Sequence, residues 1–179
     1  MAEQTYAQTQ LIPASELNPG AAASIRNSVM RSLIELASKE LVMPPWKLVV
    51  RDIRPLADLD YTYEDWIESV GATAATFETM ATGTMGDQRY VGIYGIKLKE
   101  DNADVCSQVR FNIGGGLKAL WHIQSLSKYD DYTGFCPSGI IITQNTIYTI
   151  ERYVRMVSVP FFCLLKGIVV EPRGKVIGP

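Results

Sequence analysis

The stretch VCSQVRFNI (residues 105–113), with GGG (114–116) and LKALWHI (117–123) after it, decides the fold. Val105, Ser107, Val109, Phe111 and Ile113 share one face of an extended chain, and Cys106, Gln108, Arg110 and Asn112 share the other. Alternation with a period of two is the signature of a strand buried on one side. The glycines reverse the chain into Leu117, Ala119, Trp121 and Ile123, which repeat the pattern. Working outward, Trp46 to Arg54 reads as a strand ending at Pro55, and residues 90–98 alternate just as clearly. Residues 140–143, 146–157 and 161–170 add three more strands, and the Ala- and Thr-rich 72–82 adds a weaker one. About eight strands joined by turn-forming residues predict an all-β sandwich rather than βαβ units.

The strands are preceded by different material. Residues 1–17, rich in Gln, Thr and Ala, predict an arm that is ordered only when something binds it. Residues 18–44 predict a helix, with Asn18 as its N-cap, Pro19 in its first turn and Pro44-Pro45 as its stop. Ile25, Val29, Leu33, Leu36 and Leu41 fall on one side of this helix and Arg31, Glu35, Ser38 and Lys39 on the other, so it is expected to pack on a sheet. Residues 45–179 then form the sandwich domain.

Composition excludes several functions. The 179 residues carry 17 Lys+Arg against 19 Asp+Glu, one His and three Cys, and 47% of them are hydrophobic. A core of that size folds without disulfides or metal. The net charge of −2 lacks the basic excess of a general nucleic-acid binder. A single imidazole excludes sites that need two, zinc helices of the HExxH kind among them. Cys106, Cys136 and Cys163 form no CxxC pair and read as reduced, mostly buried thiols of a protein made in the cytoplasm. The N-terminus lacks the pattern of a signal peptide. The densest apolar run, Val159 to Leu165, is far short of the roughly 20 residues that span a bilayer. Neither a cofactor nor a metal site is expected, and membrane contact would be peripheral or indirect.

Three constellations invite chemistry and are read otherwise. Gly114-Gly115-Gly116-Lys118 lacks the GK[ST] that opens a helix in a phosphate loop, so it is read as a turn. His122 has no neighbouring thiol to activate and is read as a structural or exposed side chain. Residues 58–68 hold five acids, but an EF-hand would need Gly where Tyr63 stands and Glu where Ser69 stands. A solvated loop or short helix is the expectation there. Charge is nevertheless segregated: residues 56–70 total −5, whereas residues 140–179 total +3. Separated patches of opposite sign suit head-to-tail docking between copies. Tyr61, Tyr63 and Trp66 in the acidic stretch, Tyr129 and Tyr132 beside Asp130-Asp131, and the cations Arg152, Arg155 and Arg173 are the candidate interface residues.

An arm, one helix and about eight strands resemble the small single jelly-roll capsid subunits of tailless icosahedral viruses and phages. The resemblance covers nearly the whole chain in layout, without a shared motif, so no functional residue is carried over. It implies a non-enzymatic subunit that associates with copies of itself and with other subunits, made in the cytoplasm and located in the virion. Residues 1–44 total −1, which departs from the basic arm of subunits that condense their genome directly. The alternative is a ligand-binding sandwich such as a carbohydrate-binding module, with Trp46, Trp66 or Trp121 and the tyrosines stacking on sugar rings. A hydrolase using paired carboxylates is a third reading.

Overall fold

The structure, a computed structural model, describes residues 11–62, 67–99, 104–129 and 131–175. Its strands are β1 (Ile12–Pro13), β2 (Leu48–Asp52), β3 (Ile67–Val70), β4 (Phe77–Thr84), β5 (Tyr90–Leu98), β6 (Cys106–Ile113), β7 (Gly116–His122), β8 (Thr133–Ile142), β9 (Ile147–Val154) and β10 (Pro160–Pro172). The helices are α1 (Ala21–Glu40) and the one-turn α2 (Pro55–Asp58).

The β6–β7 hairpin is the innermost of a nested series. Gly114 and Gly115 turn the chain at φ 61° and 79°, a region that glycine enters without a Cβ penalty. Outward from that turn, β5 pairs with β8, β4 with β9, and both β2 and β3 with β10, all antiparallel. The chain is thus a long ribbon doubled on itself. Pairing of β5 with β10 and of β6 with β9 wraps it into two sheets. One sheet runs β1-β8-β5-β10-β2 with β3 also on β10, and the other runs β4-β9-β6-β7. This connectivity is that of a jelly roll. The chain is a jelly-roll β-sandwich with an N-terminal helix.

Between the sheets, Phe111 and Trp121 meet edge to face at 4.6 Å, and Val91, Ile93, Val109, Ile150 and Leu165 fill the space around them. β5 is buried from Tyr90 to Ile96 because its two faces are both covered. The second cover is α1, whose Val29, Leu33 and Ala37 bury themselves with Tyr90, Tyr94, Ile168 and Val170. Gly92 lets the helix lie close, since a Cβ there would stand 2.7 Å from Leu33 and Val29 side-chain atoms. The larger sheet is therefore enclosed on both faces. No described element covers the outer face of the smaller one.

The structure departs from the sequence reading in several places. Residues 11–17 are not a free arm: Leu11 is in the core and β1 pairs with β8, so this segment closes the sheet edge. The rest of the expected arm, residues 1–10, lies outside the described residues. Asn18 does not cap α1, because Gly20 at φ 86° breaks the backbone after a turn closed by Ala21 N–H to the Asn18 carbonyl at 2.9 Å. Residues 72–76 are a turn, and β8 begins at Thr133, ahead of the strand expected from residue 140. In β6, Cys106 is buried although it was placed with Gln108 and Arg110, because a bulge between Cys106 and Gln108 reverses the alternation. None of the described helices is long and apolar enough to cross a membrane.

Truncating Leu33 to Ala should remove the centre of the helix–sheet contact and lower the unfolding free energy by about 3 kcal/mol. The urea midpoint at unchanged slope measures it, and a loss under ~1 kcal/mol would contradict this packing.

Candidate association surfaces

Two charges of the expected docking polarity lie inside the protein. Asp58, from the acidic stretch, has a fully buried side chain and is gripped by Arg51 through two bonds of 2.6 and 2.7 Å. Its second oxygen also accepts the Arg54 backbone N–H at 2.7 Å. Arg51 reaches Glu171 at 2.9 Å, and Arg89 reaches Glu171 at 3.1 Å and Asp58 at 3.3 Å, closing a square of two acids and two guanidiniums. Hydrogen bonding to the carboxylates, that of Asp58 foremost, raises the affinity of Arg51 for its proton. The expectation of a solvated loop therefore fails at Asp58.

Arg152 is likewise withdrawn from any partner. It is 1% exposed, because even-numbered residues of β9 face the interior with Ile150 and Val154. One Nη donates to the Ser69 carbonyl at 2.5 Å, and the other lies 3.8 Å from Glu78. The three thiols are buried and unpaired, and burial pushes that of Cys106 up to about 11. His122 is exposed, its Nδ1 lying 3.3 Å from the Gln108 amide nitrogen.

The other candidate residues divide between the two ends of the sandwich. Tyr129 and Tyr132 in the β7–β8 connection and Arg155 after β9 gather at one end, where β6 begins. Tyr132 packs on the main core at φ 48°, and Tyr129 donates its hydroxyl to the Glu16 carboxylate. Arg173 is exposed at the opposite end, next to the last pair of β10 and β2. Tyr61 packs against the core between the ends. Tyr63 and Trp66 lie outside the described residues.

Most of the exposed apolar side chains lie at the same two ends, the others being Leu56 on α2 and Ile147 at the start of β9. Val70, Met156 and Val157 surround the start of β10, where Val70 pairs with Pro160. Val42 and Trp46 stand at its other end, about 40 Å away along the strand. There Met43, Trp46, Lys47, Pro172 and Arg173 line an open hollow of about 330 Å³. Trp46 is 72% exposed and Val42 91%. Val42 also occupies the position after the end of α1 that glycine normally takes. Its φ is 50°, with Met43 N–H bonded to the Ser38 carbonyl and Val42 N–H to that of Lys39. A β-branched residue is strained there. The sequence reading missed Val42, although a helix that ends before Pro44 with no Gly or Asn was a signal for it.

No known protein family matches the chain by sequence, and no curated protein matches it. Solved structures share its layout at low similarity. The xylan-binding module CBM15 is 9% identical, with a TM-score of 0.33 over 69% of this chain and 96% of that one. The infectious bursal disease virus Gx strain structure is 14% identical (TM-score 0.28, covering 72% and 33%). An acetyl xylan esterase (Est2A) from Butyrivibrio proteoclasticus is 10% identical (TM-score 0.27, covering 74% and 34%). The chain spans about a third of the length of the last two. For sugar stacking by the tryptophans, Trp121 is excluded because it is fully buried against Phe111. Trp66 lies outside the described residues, and Trp46 stands at an end of the sandwich.

Replacing Glu171 with Gln leaves two guanidiniums sharing one buried carboxylate. Breaking a buried pair in this way should cost about 3 kcal/mol. Urea unfolding of the unassociated subunit measures it, and a cost near zero would mean that the square contributes nothing.

Proposed function

We propose that this chain is a structural subunit that associates with copies of itself into a larger assembly, a virion shell being the form its layout supports best. The observation that carries the reading is the placement of exposed apolar side chains at the two ends of the sandwich, with Val42 held in a strained conformation that presents it to solvent. Contiguous exposed apolar groups commonly mark contact surfaces. Strain retained at an exposed site argues for a role that offsets it. Because the two ends differ in their residues, contact between them is heterologous and extends to rings or open arrays rather than stopping at a two-fold dimer.

The charge-driven part of the sequence expectation is correspondingly reduced. With Asp58, Glu171 and Arg152 consumed inside the fold, association rests on apolar anchors, rimmed by cations such as Lys47 and Arg173. A module that holds ligand through Trp46 alone would instead remain monomeric.

Sedimentation at micromolar concentration tests the reading. The wild-type chain should form large species, and Trp46→Ala should weaken association about thirtyfold, the loss of one anchor residue. Val42→Gly is the sharper variant. It should weaken association while leaving the isolated subunit as stable or stabilised by up to about 1 kcal/mol, because the strain is relieved. A wild-type chain that stays monomeric up to millimolar concentration would refute the proposal.

A further inference from the structure

The bare outer face of the smaller sheet is organised differently from the ends. Register places Phe77, Tyr153, Gln108 and His122 in one row across β4, β9, β6 and β7. In the next row Glu151 faces Arg110 directly. Arg110 Nε and Nη2 donate to the two Glu151 oxygens at 2.5 and 3.0 Å, and Asn112 adds a third bond at 2.5 Å. The Arg110 guanidinium lies 3.9 Å over the Phe77 ring, and Phe77 meets Tyr153 edge to face at 5.2 Å. The first row continues past β7 into an open hollow of about 600 Å³ lined by Ser107, Gln108, His122, Gln124, Ser125 and Lys128.

We propose that this strip binds an unbranched neutral oligosaccharide laid across the strands. The reasoning is chemical. Planar aromatic, guanidinium, carboxylate and amide groups offer both a stacking ledge and closely spaced donors and acceptors, which suits a chain of hydroxylated rings. The charges cancel locally between Arg110 and Glu151, which disfavours an anionic polymer such as a nucleic acid. Phe77 in the first row and Leu120 opposite Arg110 in the second are both half-buried, so neither stands out as the exposed anchor of a protein interface. The groups are fixed by one another before any ligand arrives, which lowers the ordering cost of binding. Across four strands the row spans on the order of 14 Å, a length of a few sugar rings, before it reaches the hollow.

This inference is independent of the association reading and is tested on the Trp46→Ala subunit, where association is weakened. Cellohexaose, maltohexaose and mannohexaose are titrated against the amide NMR spectrum, with an oligogalacturonate as the charged control. At least one neutral hexaose should bind saturably, with shifts confined to β4, β6, β7, β9 and residues 124–128. Tyr153→Ala and Gln108→Ala should each weaken binding about tenfold. Gln108 and His122 lie on the exposed side, so Gln108→Ala and His122→Ala keep the test usable if removal of Tyr153 disturbs the sheet. The inference is overturned if no neutral hexaose binds at millimolar concentration, if the charged control binds more tightly, or if folded variants bind undiminished.

Discussion

Asp58 and Glu171 hold two carboxylates inside the sandwich with no side-chain exposure, and the arrangement of one whole side of the protein follows from neutralising them. Isolated buried charges cost several kcal/mol each, so the square tolerates only one geometry. Arg51 and Glu171 stand on the neighbouring strands β2 and β10, and Arg89 immediately precedes β5, the next strand of the same sheet. Asp58 comes from α2, which interrupts what would otherwise be one continuous edge strand and leaves β2 and β3 as its two halves on β10. The ion cluster therefore fixes the edge of the larger sheet and the point where the chain leaves it. It is a polar plug in a site that an apolar core would fill more cheaply.

The second constraint is the asymmetry of the two layers. Gly92 and Gly139 remove side chains where α1 lies, and Val29 and Leu33 fill the space. The helix covers the part of one sheet formed by β8, β5, β10 and β2. The other sheet keeps an open face, on which the Arg110–Glu151 pair and the Phe77–Tyr153 contact lie. This division assigns different chemistry to different surfaces: packing to one face, polar recognition to the other, apolar contact to the ends.

Much of the fold was legible from the sequence because it is written in local periodicity. The alternation in 105–123 located the central hairpin, and the glycines at 114 and 115 located its turn, both of which the backbone confirms. The inward face of Trp121 followed from the same pattern. What was not legible depends on residues remote in the chain. Arg51 and Glu171 are 120 positions apart, and Arg89 and Glu171 are 82 apart, so no window shows the full square, although Arg51, which grips Asp58, is only seven residues from it. The inward turn of Arg152 was hidden for the same reason, its carbonyl partner at Ser69 being 83 residues away. The reversal at Cys106 was hidden because a bulge leaves no mark in hydrophobicity. Site residues suffered most, since surface function is carried by what the backbone brings together and not by spacing.

The strain at Val42 bears on how the surfaces relate. A glycine there would complete the end of α1 at no steric cost, so the retained valine is best understood by what its exposed methyl groups touch. Contacts made at the ends leave the open face of the smaller sheet uncovered, since that face runs alongside the strands and not across their ends. In an array joined end to end, each subunit would present the Phe77–Tyr153 row sideways and unobstructed. Repetition of a weak site along such an array raises its effective concentration, so that individually modest binding becomes strong in the assembled form. The two proposals are separable in experiment, yet the geometry makes each more useful in the presence of the other.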